Sequence, residues 1–313
     1  MRKGVDMGSW IKFWIATMRA PFFVAVIIPA ILGSAIAWST IGGAFHWGHF
    51  VLVVLGAMLI NGGTNLVNDY FDRPTDDINV EYVAPFTGGS RMIQEGLIAP
   101  PRVLVAGIAC FAIAAAIGIY FVWATWASGP VILILGVIGF FSGFFYTAPP
   151  LKLGYRWPAE VVVGLNCGVL VTLGAYWIQT QVFSWVPIIA SIPLGIIIAA
   201  VLWVNEIPDY AADKAVGKNH VVVLIGKEWA AKGYFILLVA AFVCTALMVI
   251  HQGIPLYVLL GLLALPLAIK AARIAINNYD DSKALAPANG MTPMIYMATG
   301  LLTSVGFLLG RFF

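Results

Sequence analysis

The chain has 313 residues, of which 61% are apolar and only 10% charged, and its mean hydropathy is +0.95. Soluble domains carry about 25% charged residues, so a water-soluble fold is excluded and one membrane bundle over residues 1–313 is expected. The net charge of +3 gives no reason to expect a nucleic-acid partner. Cys110, Cys167 and Cys244 each lie inside an apolar run, at spacings that suit neither a disulfide framework nor a zinc site.

Residues 1–20 combine basic residues with Trp10, Phe13 and Trp14 and lack a small-residue cleavage site, which predicts an interfacial helix rather than a removed signal peptide. Apolar segments near the length of about 20 residues that crosses a bilayer lie near 18–40, 47–68, 103–125, 128–148, 158–181, 185–205, 230–251, 254–272 and 291–310. They predict an all-α integral membrane bundle of about nine spans. Longer polar breaks fall at 69–101, 206–229 and 273–290, with a short one at 147–157. With nine spans, every Lys and Arg except Arg311 falls on one side, together with all 14 acidic residues. Lys and Arg enrichment marks that side as cytoplasmic. Carboxylates are not covered by that rule, so their one-sidedness predicts a polar site at the cytoplasmic helix ends.

The second span ends in Asn65-Leu-Val-Asn68-Asp69-Tyr-Phe-Asp72-Arg-Pro-Thr-Asp76, and the sixth in Asn205-Glu206-Ile-Pro-Asp209-Tyr-Ala-Ala-Asp213. An offset of 137 residues carries Asn68 onto Asn205, Asp69 onto Glu206, Asp72 onto Asp209 and Asp76 onto Asp213. Positions three, four and seven apart share one helix face, so each span ends in a ladder of carboxylates, although Pro74 and Pro208 could set the last Asp of each on a turn or a second short helix. Like charges so placed repel, and burial raises the cost. The hard cation that offsets this with carboxylate and phosphate oxygens is Mg²⁺. Asp69, Asp72, Asp76, Glu206, Asp209 and Asp213 are therefore the candidate metal ligands, suited to holding a diphosphate between two ladders.

These motifs resemble the UbiA superfamily of intramembrane prenyltransferases. Asn68-Asp69-Tyr-Phe-Asp72-Arg-Pro-Thr-Asp76 is similar to its N-D-x-x-D-x-x-x-D motif, and Asp209-Tyr-Ala-Ala-Asp213 to its D-x-x-x-D motif. Tyr146-Thr-Ala-Pro-Pro-Leu-Lys152 is similar to the segment after its fourth helix, and Arg19-Ala-Pro21 to its first-helix region. The resemblance implies a bundle around a central cavity, Mg²⁺, a polyprenyl diphosphate donor and an acceptor that is aromatic or, as an alternative, a lipid. Pro85-Phe-Thr-Gly-Gly-Ser-Arg91-Met-Ile-Gln94-Glu-Gly96 and Ala215-Val-Gly217-Lys218 are closer to the 1,4-dihydroxy-2-naphthoate (menaquinone) branch than to the 4-hydroxybenzoate and haem O branches. Gly-Gly-Ser replaces that branch's Gly-Pro, and Trp157-Pro158 stands where relatives often have Gly.

Donor, acceptor and lipid bilayer are thus the expected partners, with the oligomeric state left open. Arg19, Arg91, Lys152, Arg156, Lys214 and Lys218, with Asn65, Asn68 and Asn205, are the candidate substrate-binding groups, and Arg91 is the preferred diphosphate clamp because its guanidinium forks onto phosphate oxygens. Tyr146, ahead of Tyr70 and Tyr210, is expected to face a developing allylic cation. Asp72 or Asp209 is the candidate proton acceptor. His46, His49, His220 and His251 are scattered over different loops and are expected to form no ligand cluster. An ion-coupled transporter is the competing class, but transporter sites sit at broken helices near the bilayer midplane. CDP-alcohol phosphotransferases begin their ladders with Asp-Gly, a pair absent from this chain.

Overall fold

The computed structural model describes residues 7–79, 87–125 and 129–312. Arg2, Lys3, Pro85 and Phe86 lie outside the described residues. Helix α1, Met7–Thr17, precedes a tight turn at Arg19 and α2, Val24–Ile41. The chain continues through α3, Trp47–Phe71; the short α4, Arg73–Ile78; α5, Pro100–Ala124; and α6, Gly129–Phe144. One span is composite: α7, Ala159–Gly164, a π-helical stretch Leu165–Leu170, and α8, Val171–Thr180. Then come α9, Val186–Ala215; α10, Val221–Ile225; α11, Lys227–Leu247; α12, Leu265–Asn278, entered through a 3₁₀ stretch Leu256–Ala264; and α13, Ser282–Leu309. No β-strand occurs among the described residues.

Eight helical stretches are long and apolar enough to cross a membrane, and α6 is an apolar helix of only 16 residues. Together they match the nine apolar segments read from the sequence. The polar ends differ. Alpha-3 gives way at Asp72 to α4, with Pro74 in its first turn, so Asp76 sits on a separate short helix. Pro208 breaks nothing: α9 runs through it and carries Asn205, Glu206, Asp209 and Asp213 on one continuous helix.

The main core is shared by α2, α8, α9, α11, α12 and α13, around Leu32, Leu194, Ile197, Tyr234, Ile295 and Tyr296. Proline has no N–H for the carbonyl four residues earlier, and at two of the prolines inside these helices a side chain makes good the loss. Pro29 withholds the N–H from Ala25 and Pro208 from Val204. Alpha-13 supplies both donors. The Tyr296 hydroxyl donates to the Ala25 carbonyl at 2.9 Å. Asn289 Nδ2 donates to the Val204 carbonyl at 3.0 Å and to Asn205 Oδ1 at 2.8 Å. Both side chains are fully buried, so in surroundings without water each proline is tolerated through a side chain on a neighbouring helix.

The π-helical stretch and α9 also touch backbone to backbone: a Cβ on Gly168 would lie 2.6 Å from the Gly195 Cα. Small residues permit such approach in membrane bundles.

Tyr296→Phe strands the Ala25 carbonyl and should lower stability in detergent by about 1–3 kcal/mol. Pro29→Ala, which returns an N–H to that carbonyl, should recover part of the loss in the double variant. Thermal melting of the four proteins of this cycle checks it, and strict additivity would show that the two sites do not share the carbonyl.

Candidate active site

The two ladders line the same end of a cavity of about 660 Å³. Asn65, Asn68, Asp72 and Asp76 come from the α3–α4 side, and Asn205, Glu206, Asp209 and Asp213 from α9. The remaining wall includes Leu52, Phe121, Val122, Ile132, Leu135 and Ile178. One end is therefore ionic and the rest hydrocarbon.

Lys218 joins the ladders. Its Nζ lies 3.0 Å from Asp72 Oδ2 and 2.9 Å from Asp213 Oδ1. Burial works against the ammonium, but these two carboxylates hold its pKa well above the ordinary lysine value. Its Nζ also stands 5.0 Å above the Tyr155 ring, whose other cationic neighbour is Lys152 at 4.6 Å. Two loops set this geometry: the Asn219 N–H donates to the Tyr155 carbonyl at 2.7 Å, and Arg156 pairs with Asn219 in a single β-bridge. A second tie crosses from Asn79 Nδ2 to Asp209 Oδ1 at 2.6 Å.

Arg19, held at positive φ, reaches Asp69 Oδ1 at 2.7 Å and Asn68 Oδ1 at 3.3 Å. Asp69 itself is buried behind the wall, where its Oδ1 also accepts the Ser90 N–H. Gly88 and Gly89, both at positive φ, line the cavity, and a Cβ on Gly89 would collide with Asp76 Oδ2. The loop backbone can approach Asp76 only as glycine. Burial, reinforced by Asp72 and Asp69 and opposed by Arg19 and Lys218, pushes the Asp76 carboxyl up to about 8.

Of the substrate-binding groups expected from sequence, Arg19, Lys218, Asn65, Asn68 and Asn205 line the cavity, as does Tyr146. Arg91, Lys152, Arg156 and Lys214 do not. Arg91 Nη1 donates to the Asp76 carbonyl, Lys214 Nζ to the Tyr210 hydroxyl at 3.1 Å, and the Arg156 side chain is exposed. Tyr70 packs edge-on against Phe71, and neither it nor Tyr210 reaches the wall.

One expectation is overturned. His220 does join a cluster: it stands with Glu160 and Glu206, each offering a ligand atom within 4.8 Å of the others. Sequence spacing hides this, since the three come from α7, α9 and the loop before α10. A sharper signal was available in Glu160, a carboxylate inside an otherwise apolar span, which marks a functional position by default.

The donor set suits a hard dication. Asp72, Asp76, Glu206, Asp209 and Asp213 line the cavity against two permanent cations, Arg19 and Lys218. Asp69 Oδ2, Asp72 Oδ1 and Glu206 Oε2 are buried acceptors with no hydrogen-bond partner. Carboxylate oxygens left without donors are what Mg²⁺ binds, with water and phosphate completing its shell.

The UbiA prenyltransferase family model matches residues 26–298. A 2-carboxy-1,4-naphthoquinone phytyltransferase from Synechocystis is 26% identical over 298 residues, covering 95% of this chain and 93% of that protein. A 1,4-dihydroxy-2-naphthoate octaprenyltransferase from Escherichia coli is 27% identical over 310 residues, covering 96% and 94%. Among solved structures, a UbiA homologue from Archaeoglobus fulgidus bound to DMAPP and Mg²⁺ superposes with a TM-score of 0.63 at 18% identity, over 93% of this chain and 99% of that one. With apolar helices long enough to span a bilayer and a family match over most of its length, this multi-pass membrane protein belongs to the UbiA prenyltransferase family.

Proposed function

We propose that the protein transfers a polyprenyl chain from its diphosphate to 1,4-dihydroxynaphthoate, with Mg²⁺ and the diphosphate held between the two ladders on the cytoplasmic side of the plasma membrane. The observation that carries this reading is the division of one cavity into a carboxylate-rich end and a hydrocarbon remainder. A prenyl diphosphate has the same division. Naphthoate is favoured over 4-hydroxybenzoate because relatives aligned along nearly the whole chain are a 2-carboxy-1,4-naphthoquinone phytyltransferase and a 1,4-dihydroxy-2-naphthoate octaprenyltransferase.

Asp72, Asp76, Glu206, Asp209 and Asp213 would hold the metal, with Asp69 behind them. Bound there, Mg²⁺ supplies Lewis acidity that draws charge onto the departing diphosphate. Arg19 and Lys218, the permanent cations on the wall, take the clamp role expected of Arg91, while Arg91 steadies the α4 turn through the Asp76 carbonyl. Lys218 must exchange at least one carboxylate for a phosphate oxygen when the donor enters. Burial, with Glu206 and Glu160 nearby, holds the Tyr146 phenol well above its ordinary pKa. Its ring therefore stays neutral and offers a π face to the allylic carbon as positive charge develops. The apolar wall excludes water from that carbon. An electron-rich ring carbon of the acceptor then forms the new C–C bond as the C–O bond to diphosphate breaks, and Asp72 or Asp209 takes the proton the acceptor loses.

Asp72→Asn and Asp209→Asn should each lower radiolabelled prenyl transfer by at least about 100-fold, since even partners behind a metal's ligands are worth 10–100-fold, while thermal melting in detergent stays cooperative. Near-normal turnover in either variant would remove that ladder from the metal site. In an acceptor panel, 1,4-dihydroxynaphthoate should be turned over faster than 4-hydroxybenzoate, and the reverse order would overturn the assigned acceptor.

A pH dependence follows from Asp76. Its carboxyl keeps a proton up to about 8 in the folded chain, against 3.8 ordinarily. The folded state thus binds a proton that the unfolded chain has released, so metal-free stability falls as pH rises through this window and levels off above it. Melting in EDTA should drop between about pH 6 and 8, and saturating Mg²⁺, which replaces the proton, should flatten the slope. A flat profile in EDTA would exclude Asp76 from the buried cation site.

A further inference from the structure

Beside the second ladder lies a group of side chains of which prenyl transfer leaves Glu160 and His220 unused. Glu160 at the start of α7, Glu206 in α9 and His220 are 4%, 7% and 1% exposed. His220 Nε2 is 2.9 Å from Asp213 Oδ2. The ring donates there, so Nδ1 is the nitrogen that faces the glutamates, and a dication bound to it would displace any proton it carries. That Nδ1 is buried with no hydrogen-bond partner and lies 3.4 Å from Glu206 Oε2, which is equally unpartnered. Glu160 uses Oε1 to accept the Val221 N–H at 3.1 Å, while its Oε2 is buried without a donor. Glu160 Oε2, Glu206 Oε2 and His220 Nδ1 are thus all buried and without a hydrogen-bond partner in one cluster.

Chemistry and spacing name the missing partner. Zinc bonds of about 2.0–2.1 Å to nitrogen and oxygen set tetrahedral ligand atoms roughly 3.3 Å apart, close to the His220–Glu206 separation. An imidazole nitrogen turns preference from Mg²⁺ toward zinc-like ions. The Asp213–His220 hydrogen bond is the partner that metal-bound histidines carry on their far nitrogen, fixing tautomer and ring orientation.

We propose that Glu160, Glu206 and His220 form a second metal site for a zinc-like transition dication, distinct in ligand chemistry from the all-oxygen ladders. Glu206 then belongs to this site rather than to the Mg²⁺ set. The ion ties the start of α7 and the 216–220 loop to α9, and so fixes Asp213 and Lys218 at the cavity head. This site is independent of which acceptor is prenylated.

Full-length protein in detergent, stripped with chelator, is titrated with Co²⁺ in excess Mg²⁺. One equivalent should bind with the intense visible absorption of four-coordinate nitrogen–oxygen cobalt. Asp72→Asn should keep that spectrum. His220→Asn should lose it. Glu160→Gln, whose amide oxygen can still accept from Val221, should weaken cobalt binding by at least about 10-fold, and it guards against a folding defect in the histidine variant. Unchanged binding in both cluster variants, loss only in Asp72→Asn, or no binding because the two glutamates share a proton would each overturn the site. Mg²⁺-dependent transfer by the metal-loaded protein, lost in Asp72→Asn while the cobalt spectrum stays, reports separately on the ladders, so the two readings fail independently.

Discussion

Negative charge confined away from water is the constraint around which this protein is arranged. Carboxylates at one end of an otherwise hydrocarbon cavity repel one another strongly when dielectric screening is low. The chain answers with the Lys218 bridge between Asp72 and Asp213, the Arg19 contact to Asp69 and the Asn79 bond to Asp209. These partners leave several oxygens without donors. A site that stays short of positive charge after its own lysine and arginine are placed is a site prepared for a cation and its anionic substrate.

Holding such a site requires a scaffold that does not relax. Asn289 of α13 does not itself line the cavity, yet its side chain repairs the carbonyl left by Pro208 and grips Asn205 in the ladder. The proline and the ladder are thus secured by one amide. On the opposite side, the Tyr155–Asn219 hydrogen bond and the His220–Asp213 contact fasten the loop that carries Lys218. Rigid helices supply the carboxylates, and two tied loops supply the cation that faces them.

The ladders were legible in the sequence because carboxylates are scarce in so apolar a chain, and a repeat with a 137-residue offset stands out against that background. Helix count was legible for the same reason, with α6 shorter than expected. Which cation faces the ladders was not. Arg91 and Lys218 are equivalent as loop residues, and only the pairing of two distant loops turns Lys218 inward while Arg91 spends its guanidinium on the Asp76 carbonyl. His220 was invisible because its partners lie 14 and 60 residues away in sequence and meet only when α7 packs on α9. Pro208 misled in the opposite direction: its local rule predicts a break, and a donor from another helix cancels it.

The most direct test locates the metal. Crystals or particles prepared with Mn²⁺ and a non-cleavable prenyl thiodiphosphate should show metal density or anomalous signal between the Asp72–Asp76 and Asp209–Asp213 ladders, with the diphosphate analogue against Arg19 and Lys218 and its tail along the apolar wall. A diphosphate analogue bound away from both ladders, or seated there without metal in contact with either, would contradict the account.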